Sequence, residues 1–189
     1  MADAKSFLGG VLHRETASDT SMPSLAEIGL NFFVPYLLNR IAAQWNSGLS
    51  EELRKFHLTT PQMRALAVLS INSGLTINEL SVLTVTEQST MSRTLDNLEN
   101  RKLLRRRPRP SDMRARQVEI TPEGRAAFAA FWPVMFNRYQ DMFRDIGEDE
   151  FSALVTTLHK VLKNIRLAGT GSQTESISLP LVGRAIAYG

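Results

Sequence analysis

Between residues 60 and 122 the spacing of apolar side chains passes from a helical period to a period of two and back, and few architectures accept that order. Thr60-Pro61 reads as a helix start, a hydroxyl cap followed by proline at the first helical position, with Leu66, Leu69 and Ile71 behind it and Asn72-Ser73-Gly74 as the stop. Thr76 and Glu79 form a capping box that opens a short helix carrying Ile77, Leu80 and Leu83. After a tight Leu83-Thr84-Val85 turn, Thr86 caps a helix running to about Arg101, on which Met91, Leu95 and Leu98 form a buried stripe. Leu104 then begins a short strand, Pro108 to Ala115 reads as a turn with two prolines, and Arg116 to Ile120 alternates, Val118 and Ile120 inward and Gln117 and Glu119 outward. Two short helices joined by a tight turn and followed by a hairpin describe a winged helix-turn-helix.

The flanks are helical. Residues 1–23 are rich in Gly, Ser, Thr and Asp and read as an arm. Ser24 with Glu27 makes a capping box for a first helix with apolar positions Leu25, Ile28, Phe32, Leu37, Ile41 and Trp45. Pro35 is expected to kink that helix, and Gly48 to close or bend it. Thr121-Pro122 opens a long helix carrying Phe128, Phe131, Met135, Tyr139, Met142 and Ile146, Gly147 breaks it, and a last helix carries Phe151, Leu154, Leu158, Leu162 and Ile165. The expected fold is mainly α with a small β-hairpin wing (α+β): a dimerisation helix at 24–57, a winged helix-turn-helix at 58–121, further dimerisation helices at 122–168 and a tail at 169–189. No internal repeat is visible.

Charge is unevenly placed. The chain carries a net +3, yet residues 101–116 hold eight bases against the single acid Asp112, a local +7, and the remainder is −4. A basic stripe on an otherwise acidic chain is the footprint of a phosphate-binding edge, although many charge runs are only solvated surface. Few of the seven arginines are expected to pair with acids, which favours the first reading. The polar face of the helix before this stripe carries Gln88, Ser89, Ser92, Arg93 and Asn97, with no acid between Glu87 and Asp96. Gln and Asn can bond adenine edges, Arg can bond guanine or phosphate, and hydroxyls suit either. The helix N-terminus at Thr86, Ser89 and Thr90 favours an approaching phosphate. Arg107, Arg109 and Arg116 supply the basic edge of the wing.

Other classes find little support. There is no cysteine, which removes disulfides and thiolate metal sites and fits a reducing, cytoplasmic setting. His13, His57 and His159 have no ligand spacing, so no metal is expected. Neither a membrane span nor a secretory leader is legible. G-x-S-x-G, a phosphate loop, H-E-x-x-H and a clustered Ser/His/Asp set are all missing, so an enzyme is not expected and no cofactor is implied. Glu148, Asp149 and Glu150 are explained by the helix N-terminus they precede. The alternative to a sequence-specific regulator is a ligand-independent winged helix that binds nucleic acid without sequence preference or binds another protein.

Three runs carry a family resemblance: LTTPQMRALAVL, NELSVLTVTEQSTMSRTLDNLENRKLLRRR and RPSDMRARQVEITPEGR. In order and spacing over about residues 25–168 they resemble the multiple antibiotic resistance regulator (MarR) family, with the S-T-M-S-R, L-E-N-R-x-L-L and D-x-R…T-P-E-G blocks together. The resemblance implies a triangular homodimer whose terminal helices interlock. It places Ser89, Thr90, Ser92 and Arg93 in the major groove and, through Asp112 and Arg114, the wing in a minor groove. The chain departs from the family pattern at Met113, where a second wing arginine is common, and at Thr84 and Lys102, where glycine is common.

A dimer follows from the residues as well. Phe32, Phe33, Tyr36, Phe131, Trp132, Phe136, Tyr139, Phe143 and Phe151 are more aromatic surface than one small module buries, and an intrachain core accounts for about half of them. A two-fold dimer would read double-stranded DNA carrying an approximate inverted repeat, with half-sites roughly 34–36 Å apart. Many relatives bind small aromatic or phenolic acids between the dimerisation helices and the winged domain. Candidate wall residues here are Tyr36, Arg40, Trp45, Met63, Phe128 and Trp132, with Arg40 suited to a buried carboxylate. Met63 and the aromatics read equally well as core, and Arg40 as the partner of an acid.

Overall fold

The computed structural model describes residues 24–109 and 112–168. The chain falls into two units, one ending at Glu51 and the other beginning at Glu52. In the first, α1 (Leu25–Ile28) is a single turn that stops at Gly29, whose φ of 74° is the left-handed conformation glycine adopts without steric cost. A new helix, α2, starts at Val34 and runs to Lys55. The break therefore lies at Gly29, and Pro35 sits in the first turn of α2, where its missing N–H costs nothing, instead of kinking a longer helix. Gly48 does not close α2, which continues for seven residues beyond it.

The second unit is built on α3 (Thr60–Ile71), α4 (Ile77–Leu83), α5 (Gln88–Asn100), α6 (Pro122–Met142) and α7 (Glu148–Ala168). Thr59, one residue earlier than expected, caps α3 in a reciprocal box with Gln62. Thr76 and Glu79 form the expected box on α4. Thr86 does not cap α5: the N-cap is Glu87, without a side-chain hydrogen bond, and the Thr86 hydroxyl donates to the Thr84 carbonyl at 3.2 Å. Thr121 caps α6 as expected, accepting from Gly124 N at 3.0 Å.

Three strands form one antiparallel sheet in the order β1-β3-β2, with β1 at Leu75–Thr76, β2 at Leu104–Arg109 and β3 at Asp112–Ile120. The hairpin is longer than the period suggests. Pro108 still faces Arg116 across the ladder, and an irregularity follows before Arg109 meets Asp112. Proline fits here because β2 is an edge strand. The two-residue β1, which pairs Leu75 with Val118 and Thr76 with Gln117, is too short to leave a periodic signal.

Core residues come from every element around the helix-turn-helix: Leu66, Leu69, Leu80, Met91, Leu95, Leu98, Val118 and Phe131 are fully buried. Each contributes about 1.5–3 kcal/mol by leaving water. The α5 stripe is thus core, as its spacing requires, whereas Ile71 at the end of α3 is 67% exposed. The start of α6 is pressed on the turn after α5. A Cβ on Gly124 would lie 1.9 Å from the Leu103 carbonyl oxygen, so no side chain fits there. In that turn Lys102 has a φ of 60°, which accounts for the glycine expected there. In the helix-helix turn the left-handed residue is Val85 (φ 51°), and Thr84 is right-handed, so Thr84 is not the position that calls for glycine.

Glu79 joins the base of α4 to the wing. Its carboxylate accepts the Thr76 N–H at 2.6 Å and lies 3.6 Å from Arg109 on β2. Burial opposes its ionisation, but the Thr76 hydrogen bonds and Arg109 outweigh that and hold the carboxyl below its ordinary range. A carboxyl lowered in the folded state stabilises the fold at pH above its unfolded value and loses that contribution as pH falls through the folded one. Glu79→Ala is therefore expected to cost about 1 kcal/mol at neutral pH. In thermal melts across pH the gap to wild type should narrow steadily in acid.

Candidate nucleic-acid interface

Helix α5 presents two unlike faces. Met91, Leu95 and Leu98 seal one into the core, and Gln88, Ser89, Thr90, Arg93 and Asn97 stand exposed on the other, with Ser92 half-buried. Thr86 is half-buried in the turn that enters the helix. Among the described residues Arg93 has no acid within ion-pair distance, and it lines an open cleft of about 370 Å³ with Thr59, Pro61, Gln62, Thr90, Thr94 and Asn97. Asn97 is fixed at the cleft by Gln62, whose Nε2 donates to its Oδ1 at 2.7 Å.

The basic run is more paired than the sequence suggests. Arg106, with only 16% of its side chain exposed, bonds Asp96 at 2.7 Å and Glu99 at 3.1 Å and reaches the Ser92 carbonyl at 3.4 Å. Its main-chain N–H donates to the other oxygen of Glu99 at 2.9 Å. Arg105 bonds Glu119 at 2.8 Å, Arg107 lies 3.7 Å from the same carboxylate, and Arg109 faces Glu79. Arg101 donates to the His57 carbonyl at 2.8 Å. The expectation that few arginines here meet an acid is therefore wrong, because strand pairing brings Glu119 and helix packing brings Asp96, Glu99 and Glu79 beside them. Arg107 is still 54% exposed, Arg109 is 39% exposed, and Arg116 is exposed, so all three can reach outward. Asp112 and Arg114 stand on β3 near the hairpin tip, and their side chains lie outside the described ones.

Gln62, Arg106 and Glu119, which orient these groups, are absent from the residues picked out by sequence. A capping box at Thr59 and Gln62 was the one local signal available, and the rest depends on contacts across elements. Among the residues proposed to line a ligand pocket, Met63 is buried in the core of the second unit, and Phe128 packs on Trp132 with ring centroids 5.8 Å apart. Tyr36, Arg40 and Trp45 belong to the N-terminal unit, where the Arg40 guanidinium lies 5.8 Å from the Tyr36 ring centroid, a cation–π contact. Among the described residues no cluster of three or more His, Asp or Glu side chains could hold a metal, and no helix is long and apolar enough to cross a membrane.

A sequence profile of the MarR family matches residues 57–115, the helix-turn-helix and most of the wing. A crystal structure of a MarR-family transcriptional regulator from Silicibacter pomeroyi is similar over 76% of this chain and 97% of its own, with 43% identity and a TM-score of 0.72. The HTH-type transcriptional repressor IacR of Pseudomonas putida is 26% identical over 156 residues, 82% of this chain and 89% of that protein. A structure of Bordetella bronchiseptica BpsR, solved to explain regulation of its DNA binding by 6-hydroxynicotinic acid, covers 68% of this chain and 97% of its own at 26% identity and a TM-score of 0.60. An exposed polar helix face beside an arginine-bearing hairpin, on a fold shared with these proteins at this identity, places the chain: it belongs to the MarR family of winged helix-turn-helix transcriptional regulators.

Proposed function

We propose that this protein is a cytoplasmic repressor that binds, as a homodimer, a duplex operator carrying an approximate inverted repeat, and that a small aromatic or phenolic acid releases it. The observation that carries the DNA reading is the acid-free exposed face from Gln88 to Arg93, set directly beside the wing. Ser89, Thr90, Ser92 and Arg93 enter the major groove. Arg107, Arg109 and Arg116 meet the backbone, and Asp112 and Arg114 carry the wing tip to the minor groove. Binding without sequence preference is disfavoured by the same arginine pairing, which leaves fewer free cations for a purely electrostatic grip.

Dimerisation is supported by the apolar surface on the terminal helices. Along α6, through Phe143 just after it and on to α7, a ladder of rings runs Phe128, Trp132, Phe136, Tyr139, Phe143 and Phe151, with neighbouring centroids 5.0–6.2 Å apart. Leu154, Leu158, Leu162 and Ile165 line α7 at helical spacing and are 38–64% exposed. Leu25, Phe32, Val34 and Ile41 are similarly exposed in the N-terminal unit. Stripes of this size mark a partner surface. A repressor role is suggested by the naming of IacR as one, and an aromatic acid effector by BpsR with 6-hydroxynicotinic acid. Such an acid would act by binding more tightly to a wing spacing that does not fit the operator.

Fluorescence anisotropy with the DNA upstream of the chain's own coding region tests the interface. Arg93→Ala and Arg114→Ala are each expected to weaken specific binding at least about tenfold, the scale of one bidentate base contact or buried cation. Both should leave the dimer and its melting temperature intact. Wild-type affinity in both variants would refute the assignment. In the same assay, wild-type affinity should fall as salt rises, with counterions released by the free wing cations. From a panel of aromatic carboxylates, at least one is expected both to raise the melting temperature and to release the DNA.

A further inference from the structure

An asparagine on a recognition helix is the residue type that reads adenine, donating from one end of its amide and accepting at the other. The surroundings of Asn97 determine which end faces outward. Gln62 Oε1 accepts the Thr59 main-chain N–H at 2.9 Å in the capping box on α3. Since that N–H can only donate, the Gln62 amide has one allowed orientation, and its NH2 points to Asn97. Nε2 donates to Asn97 Oδ1 at 2.7 Å. Asn97 must therefore turn its oxygen inward, and its NH2 is the end left for a ligand. A fixed main-chain donor 38 positions away in sequence thus sets the polarity of an exposed side chain on α5.

The cleft beside Asn97 has the same character. It is open, about 370 Å³, and lies between the start of α3 and α5, with Thr90 and Arg93 on its wall and no acid in its lining. The Thr94 hydroxyl is spent on the Thr90 carbonyl at 2.8 Å. The groups that remain can all donate: the Asn97 NH2 and the Arg93 guanidinium, which only donate, and the Thr90 hydroxyl, which can also accept. A wall in which donors predominate fits the acceptor oxygens of a phosphate. Asn97, with its oxygen engaged by Gln62, cannot make the paired donor and acceptor contact by which asparagine reads adenine in the major groove.

We infer that Asn97 is a backbone residue of the interface: its NH2 bonds a DNA phosphate, Gln62 orients it, and it reads no base. This rests on the DNA-binding reading above and narrows it, since Asn97 moves from the base-reading set to the positioning set. The test uses the full chain and a pool of duplexes with a randomised centre, from which wild type, Asn97→Ala and Asn97→Asp each select their preferred sequence. Both variants should select the wild-type consensus. Their affinities for that consensus and for an unrelated duplex should fall together, by about tenfold for Asn97→Ala and further for Asn97→Asp. Asn97→Asp keeps an acceptor for Gln62, so it preserves the fold while facing the phosphate with a carboxylate; thermal melts check this, and Asn97→Ala alone suffices if it unfolds. A consensus relaxed at one position in Asn97→Ala, or shifted to cytosine in Asn97→Asp, would make Asn97 a base reader and overturn the inference. Unchanged affinity would overturn it too. A wild-type chain that enriches no sequence and binds no duplex would instead refute the DNA-binding reading itself, and this inference with it.

Discussion

Arg106 on β2 is held by three groups of α5, spaced so that they share one helix face: the Ser92 carbonyl, Asp96 and Glu99. The bonds join the helix that carries the recognition face to the hairpin that carries the wing. Among the described residues no other ion pair joins those two elements. The guanidinium is mostly buried, and its Nε has no partner among the described residues, so part of the desolvation cost is uncompensated. Its position is accordingly exacting. Two surfaces that grip one duplex must keep a fixed offset, and an arginine anchored at three points restricts that offset more than apolar packing does.

The clamp also changes what the basic run means. Of the positive charge between residues 101 and 116, Arg105 and Arg106 are committed to acids at hydrogen-bond distance, and Arg107 and Arg109 stand within 4 Å of one. Arg106, the mostly buried one, holds the wing in shape, and Arg107 and Arg109 at its outer edge keep exposure. Glu119 and Glu79 do for the wing what Asp96 and Glu99 do for its junction with α5. The same division of labour recurs on α5, where Arg93 is left open and Asn97 is oriented from below by Gln62. Groups proposed to meet DNA are thus set on a frame of groups engaged within the protein, an arrangement by which a small module can be specific without being strongly cationic.

Much of this was legible in the sequence, and the boundary is physical. Capping boxes, the proline starts and the buried stripe of Met91, Leu95 and Leu98 are local, encoded within a turn or two of helix, and they placed α3 to α6 nearly correctly. Glycine and proline were harder, because the same residue can kink a helix or begin one. Pro35 does the latter only because Gly29 has already stopped the chain in a left-handed conformation. The two-residue β1 carries no period to read. The least legible features were the partners brought in from far along the chain: Glu119 lies 14 positions from Arg105, and Gln62 lies 35 from Asn97. A run of charges shows its sign in sequence, but which charges are neutralised depends on the ladder and on helix packing.

The most direct measurement of the frame is the salt dependence of operator affinity for Arg106→Gln beside Arg107→Gln. If Arg106 holds the wing to α5 and touches no phosphate, Arg106→Gln weakens operator binding but leaves the slope of log affinity against log salt at its wild-type value. Arg107→Gln, at the exposed edge, lowers that slope by about one. A slope that falls in Arg106→Gln as it does in Arg107→Gln would place Arg106 on the DNA backbone, and the account of a clamped wing would be wrong.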